Sequence, residues 1–304
     1  MPNWGQVLEE ITTSNSITAP DDVRRKYLGI MNKYTGRNVI AFYSGFLQRE
    51  GDSAIDDNDM NALMQAVNGL DKTTGLDLLL HTPGGRISTA ESIVTYLRAV
   101  FGNDIRAFIP QIAMSAGTMI ALSCKEIVMG KQSNIGPIDP QFGGVSCGGV
   151  IEEFQQAKDE INANPSSIPL WQIIISKYKP TFIGDCQKAI DWSDNMVKQW
   201  LKTNMLSKEK DKEAKADAIA KALGSHQLTF AHDRHFHIDE CKRIGIHVIP
   251  LESFPPQKID RCKDLQDCVL TIHHAFMLTF SRTNAIKIIE NHEGSAMIIS
   301  NSSR

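Results

Sequence analysis

The sequence has no apolar run long enough to cross a bilayer. Its longest stretch of that kind, around residues 112–124, is too short and too interrupted. An excess of one charge is missing too: 32 basic against 35 acidic side chains leave a formal net charge of −3. No global basic field therefore points to nucleic acid or to an anionic membrane as partner. Cysteine is sparse, with six residues at 124, 147, 186, 241, 262 and 268 and no Cys-x-x-Cys spacing. That excludes a dense disulfide framework and makes a reducing cytoplasm the simplest setting. The first residues, Met1 to Gly5 followed by Glu9-Glu10, show neither a basic start nor an apolar block, so no secretory signal is expected.

The chain does hold ample material for a core. At 304 residues and 42% hydrophobic content it can form one large domain or two. Residues 1–36 read as an N-terminal helical arm, with Asp21-Asp22 opening a segment through Val23, Leu28 and Met31. Val39 to Phe42 reads as the first core strand. Asp57 is placed to cap a helix carrying Met60, Leu63, Met64 and Val67, which Gly69 ends. Gly143, Gly144, Gly148 and Gly149 around Cys147 read as a loop, either mobile over a site or simply at the surface, with a short helix near residues 152–158. The mixed charges of residues 208–213 are a solvated face. Leu265, Val269, Ile272, Phe276 and Phe280 repeat as an amphipathic helix.

Two segments carry chemistry. The first is His81-Thr82-Pro83-Gly84-Gly85. The apolar run from Leu76 to Leu80 predicts a buried strand closed by that turn. Paired glycines reach backbone angles closed to other residues and allow close approach of another chain. Ser88-Thr89-Ala90-Glu91 then has the form of a capping box, and Ile93, Val94, Leu97, Val100 and Phe101 follow at helical spacing. The turn's N–H groups thus lie near a positive helix end.

The second segment, Ala113-Met114-Ser115-Ala116-Gly117-Thr118, follows about thirty residues later. It comes after a strand at Ile105 to Ile109 and opens a buried helix from Ser115 to Cys124, with a further strand at Glu126 to Met129. Ser115 falls in the first turn, where the helix dipole favours negative charge. Small neighbours at Ala116 and Gly117 leave room for a carbonyl. Seen singly, such a serine is usually a cap and such a Pro-Gly-Gly usually a turn. Residue 113 is alanine, so this is not the Gly-x-Ser-x-Gly elbow of α/β-hydrolases.

Taken together, His81 to Gly85, the helix, the strand, Ala113 to Thr118 and then Gly136-Pro137-Ile138-Asp139-Pro140-Gln141 resemble the serine dehydrogenase proteinase family. That family groups with the Clp-fold serine peptidases: the Clp protease subunit, signal peptide peptidase A and the NfeD-type proteases. The likeness is strongest over roughly residues 38–145 and weaker to about 252, where His232-Asp233-Arg234-His235 and Glu240 to Gly245 resemble the family's entry into its last helix. The resemblance implies an α/β fold of the Clp/crotonase type, built of repeated strand-strand-helix units with added N- and C-terminal helices. It implies a peptidase domain over residues 37–252, between the arm and a helical extension at 253–304. It also implies Ser115 as nucleophile and an oxyanion hole from backbone N–H groups of Gly84, Gly85 and Ala116.

The general base is less direct. Clp protease subunits place a histidine after the strand that follows the nucleophile helix, but residues 133–139 hold none. Signal peptide peptidase A and the NfeD-type enzymes use a Ser-Lys dyad, and Asp185 to Asp191 resembles the stretch that carries the NfeD-type lysine. The resemblance therefore implies Lys188, with Asp139 and Lys158 in reserve. A dyad lysine must be stripped of water, yet Lys188 lies off the apolar face formed by Cys186, Ala189, Ile190, Met196, Val197, Trp200 and Leu201. His232, His235 and His237 fit no standard zinc spacing and read as helix-entry or packing residues.

The expected function is hydrolysis of extended polypeptide through an acyl-enzyme, without a cofactor or metal, in a cytoplasmic homo-oligomer, with any ATPase or regulatory partner unknown. A Clp-fold scaffold lacking a working base and a crotonase-type thioester enzyme are the alternatives.

Overall fold

Apolar residues line one strand after another through the middle of this chain, so the strands are buried on both faces and form a largely parallel sheet. The computed structural model describes residues 4–14, 16, 18–49 and 53–300. Its strands are β1 (Asn38–Ser44), β2 (Leu76–His81), β3 (Ile105–Ile109), β4 (Ile112–Ala113), β5 (Glu126–Met129), β6 (Asn134–Ile135), β7 (Gln141–Phe142), β8 (Val145–Ser146), β9 (Val248–Pro250), β10 (Ala285–Asn291) and β11 (Ala296–Ser300). The main sheet runs β11-β10-β1-β2-β3-β5-β9. From β1 to β9 every pairing is parallel, while β10 joins β1 antiparallel. Beyond the ends of these strands the chain makes a second, smaller set of pairings: Thr82 with Ala113, β4 with β6, and Ile135 with Phe236.

The two faces of the sheet bury two cores. Helices Asn58–Val67, Ile87–Phe101 and Ala116–Ser123 cover one face, on Ile40, Leu78, Leu80, Ala107 and Ile127. Helices Ala19–Thr35 and Leu265–Arg282 cover the other, on Val39, Ala41, Leu79 and Phe108. The expected arm is thus a wall of the core: Tyr27, Leu28 and Met31 are buried against the C-terminal helix.

Several local expectations are corrected. The helix after Gly85 begins at Ile87, with Arg86 as its cap and no side-chain cap bond, so Ser88 lies inside the first turn and forms no capping box. Asp57 stands at its helix start but makes no cap bond and instead accepts from Thr89. The glycines near Cys147 do not form one loop. Gly143 and Gly144 make the turn of the β7–β8 hairpin, and Gly148 and Gly149 lie in the first turn of a 17-residue helix, Cys147–Ala163. The C-terminal extension is not only helical, because β10 and β11 complete the sheet. That strand matters for the site: buried Lys287 donates to Ala54 O at 3.0 Å and pairs with Asp56 at 2.8 Å, fixing the segment that carries Ile55.

At the C-terminal ends of β1 and β2, Tyr43 and His81 pack with His273 of the helix Leu265–Arg282. Burial pushes the His81 imidazole down to about 3 and His273 well below its ordinary value. Both are neutral in the folded chain, whereas an unfolded histidine binds a proton below about pH 6.5. The unfolded state therefore holds more protons, and stability falls as pH drops from about 6.5 toward 3. At pH 4 the His81 share of that loss is ~3 kcal/mol. Denaturant melts between pH 7 and pH 4 should show the decline, and His81→Leu should flatten it. An unchanged slope in that variant would place the acid sensitivity elsewhere.

Candidate active site

Ser115 is one of four non-glycine residues with positive φ among the described residues, at φ 49° and ψ −117°. Those angles are the second position of a type II′ turn, which glycine normally fills. The turn closes with Gly117 N–H donating to Met114 O at 2.8 Å. A serine held there costs on the order of 1–3 kcal/mol and persists only where its surroundings enforce it. They do: Thr82 N–H donates to Ile112 O and Met114 N–H to Thr82 O, each at 3.1 Å. Thr118 Oγ1 donates to Ala113 O at 2.8 Å and accepts from Gly136 N–H at 3.0 Å. The hydroxyl therefore sits on a strand-to-helix turn, at the cap position of the helix Ala116–Ser123.

The two glycines before it serve different ends. A Cβ on Gly84 would lie 2.6 Å from Ser115 Cβ and 3.3 Å from Ala116 N. Gly84 is thus the floor on which the serine rests. A Cβ on Gly85 would meet the Ile55 backbone at 2.3 Å. Ile55 N–H donates to Gly84 O at 2.7 Å and Arg86 N–H donates to Ile55 O at 3.0 Å. In such a parallel bridge Gly85 turns its own N–H away from Ile55. Ala116 supplies the first N–H of its helix, which has no intrahelical acceptor. Gly84 N–H, by contrast, donates to Thr82 Oγ1 at 3.2 Å.

A cavity of about 840 Å³ opens over Ser115, and Gly84, Gly85, His232 and Lys188 also line it. The sequence alone offers His232 as a helix-entry or packing residue. Its Nδ1 lies 2.7 Å from Asp139 Oδ1, and Asp139 is 1% exposed and also accepts from Ser146 Oγ at 3.3 Å. These two segments, 93 residues apart, are held side by side by the Ile135–Phe236 bridge, with N–H···O distances of 3.1 and 2.8 Å. A carboxylate only accepts, so Nδ1 carries the hydrogen between them, the tautomer that in a neutral imidazole leaves the Nε2 lone pair free.

Lys188 stands on the helix Phe182–Thr203 at the same cavity, with a side chain 82% exposed and Nζ 3.7 Å from Asp185. Nothing there strips its ammonium of water. Lys158 is exposed on the helix Cys147–Ala163 and does not line the cavity. His235 is exposed, and His237 Nδ1 lies 3.1 Å from Ser133 O. Among the described residues no group of three histidine, cysteine or acidic side chains is placed to hold a metal ion, and no helix is long and apolar enough to cross a membrane.

Residues 133–139 hold no histidine but carry Asp139, and the segment just before the helix Ile238–Arg243 places His232 beside it.

A family model described as a ClpP-like, SDH-type serine proteinase matches residues 52–275 of this chain. Two uncharacterized proteins of Methanocaldococcus jannaschii, MJ0137 and MJ1495, are each 30% identical to it over 190 residues, or 62% of the chain. The match spans 59% and 57% of their own lengths.

Proposed function

Because the chain belongs to the ClpP-like, SDH-type serine proteinase family, we propose that it hydrolyses polypeptide through an acyl-enzyme on Ser115, with His232 as general base and Asp139 as the residue that orients it. The observation that carries this reading is the 2.7 Å contact of His232 with buried Asp139 at the cavity that holds Ser115. We also read the main strands and their short outer pairings as the strand-strand-helix coil of the Clp/crotonase type.

The chemistry follows from the parts. A peptide carbonyl seats against Gly85 N–H and Ala116 N–H. His232 Nε2 takes the hydroxyl proton as Ser115 Oγ adds to the carbonyl carbon, and charge collects on the carbonyl oxygen facing those donors. The tetrahedral centre collapses as His232 returns the proton to the departing amine. Water, deprotonated by the same imidazole, then releases the acid and restores Ser115. Each oxyanion donor contributes on the order of a hundredfold or more in rate. The tilt of Ser115 into positive φ presents the hydroxyl at the cavity instead of to the helix end, where it would serve as a cap.

Lys188 remains the competing base because it lines the same cavity. A Ser-Lys pair needs a lysine removed from water, and the 82% exposure of Lys188 argues against it. The direct test of the nucleophile is covalent labelling. A fluorophosphonate probe should attach to Ser115 in the wild-type protein, located by peptide mass mapping, and should fail on Ser115→Ala. Folded wild-type protein that neither labels nor cleaves peptides would favour a scaffold without a working site.

A further inference from the structure

Two planar peptide units stand one behind the other at the paired glycines. The carbonyl of Gly84 and the N–H of Gly85 belong to the first, and in a trans peptide the two point in opposite directions. No cis bond occurs among the described residues. Gly84 O accepts from Ile55 N–H at 2.7 Å. That bond therefore decides where Gly85 N–H points, and this N–H is the donor assigned to the substrate carbonyl oxygen. The second unit repeats the geometry. Ile55 N–H shares its plane with Ala54 O, and Ala54 O accepts from Lys287 Nζ at 3.0 Å. The path from Lys287 to Gly85 N–H thus runs through two rigid planes joined by hydrogen bonds. Neither plane can turn without breaking a bond at one of its ends.

The head of this path is held still. Lys287 lies on β10 with its side chain 1% exposed, and its Nζ pairs with Asp56 at 2.8 Å and with fully buried Asp59 at 2.9 Å. Asp56 N–H donates to Asp59 Oδ2 at 2.9 Å, and Asn58 N–H donates to Asp56 Oδ1 at 2.7 Å. Those bonds close residues 54–59 around the ammonium. Two carboxylates beside one ammonium offset its charge, so its part is alignment and not a field reaching the substrate. Buried ion pairs are weak sources of stability compared with apolar contacts of the same volume. A donor to Ala54 O is what an apolar side chain at 287 could not supply. The match to the family model ends at residue 275, before β10 begins.

We propose that Lys287 is a positioning residue for the oxyanion site. Through the Ala54–Ile55 and Gly84–Gly85 peptides it aims Gly85 N–H at the substrate carbonyl oxygen. This role rests on the reading of Ser115 as nucleophile and Gly85 as donor.

The test compares Lys287→Met, the double variant Lys287→Met/Asp59→Asn and Arg24→Met. The double variant removes both members of a buried pair, so no carboxylate at 59 is left without a cation, and it carries the comparison should Lys287→Met fail to fold. Arg24→Met breaks a different buried pair on the same strand, Arg24 with Glu290 at 2.9 Å, and is the control for stability alone. At a temperature where the proteins are folded, the Lys287 variants should lose at least about tenfold in kcat with KM within about threefold, because the donor acts on charge that develops only in the transition state. Inhibition by a peptide aldehyde, whose adduct on Ser115 directs an oxygen to the same donors, should weaken by the same factor as kcat. Arg24→Met should melt lower yet keep kcat within about twofold, since its pair shares no partner with the peptide path. Wild-type kcat in the Lys287 variants, a loss carried by KM, or an equal loss of kcat in Arg24→Met overturns the inference. Fluorophosphonate labelling of Ser115 in the wild-type protein shows that the nucleophile stands whatever the variants do. If the wild type neither labels nor cleaves, the nucleophile reading and this inference fall together.

Discussion

His232→Ala is expected to abolish peptide hydrolysis as completely as Ser115→Ala, lowering kcat by about 10⁴-fold or more, because members of a catalytic unit act together. Lys188→Ala should stay within about threefold of wild type, since an exposed ammonium beside Asp185 has water and a carboxylate to serve it and no role with Ser115. Asp139→Asn is the sharper probe. The asparagine keeps the shape but can donate to Nδ1, which leaves the wrong nitrogen protonated toward Ser115, and a loss of about 10⁴-fold is expected. Because Asp139 is buried and also holds Ser146, circular dichroism should accompany the kinetics. Hydrolysis surviving in well-folded His232→Ala but lost in Lys188→Ala would return the base to the lysine and leave Ser115 in place.

The second large effect is expected at Gly84→Ala. The new Cβ would stand 2.6 Å from Ser115 Cβ and 2.8 Å from Met114 O, neither of which is the loose end of a flexible chain. Relief requires the turn at Ser115 to move. A displacement of about 1 Å at a nucleophile costs on the order of a hundredfold in rate. The φ of 100° adds strain of about 1–3 kcal/mol. Gly102→Ala separates the two contributions. Gly102 also has positive φ, 62°, but open space where its Cβ would go. It should lower the melting temperature while leaving kcat/KM within about twofold, a strain-only effect. If Gly84→Ala lowers stability alone and keeps full activity, Gly84 does not seat the serine.

Much of this architecture was legible before any coordinates because its signals are local. Leu76 to Leu80, Ile105 to Ile109 and Glu126 to Met129 declare strands through runs that only a sheet buried on both faces can use. The C-terminal helix declares itself through Leu265, Val269, Ile272, Phe276 and Phe280, all buried as the spacing requires. The exposure of Lys188 was also readable, because its place on the helix follows from the positions of Cys186, Ala189 and Val197.

What stayed hidden depends on distant pairings. Gly148 and Gly149 look like loop residues by propensity, yet Ser146 caps them into a helix and Cys147 is anchored to Pro140 O. Residues 285–300 carry strand propensity, but their value lies in pairing with β1 and in Lys287 holding the Ile55 segment across 231 positions. The same holds for the site. The resemblance carried by residues 81–85 and 113–118 pointed to Ser115 beside the paired glycines, and the fold does set Gly84 against Ser115. The Ile135–Phe236 bridge brings Asp139 and His232, the base proposed for Ser115, together from segments with no shared pattern. A hydrogen bond acts over about 3 Å, whatever the distance along the chain. Only the folded sheet brings those two side chains within that reach.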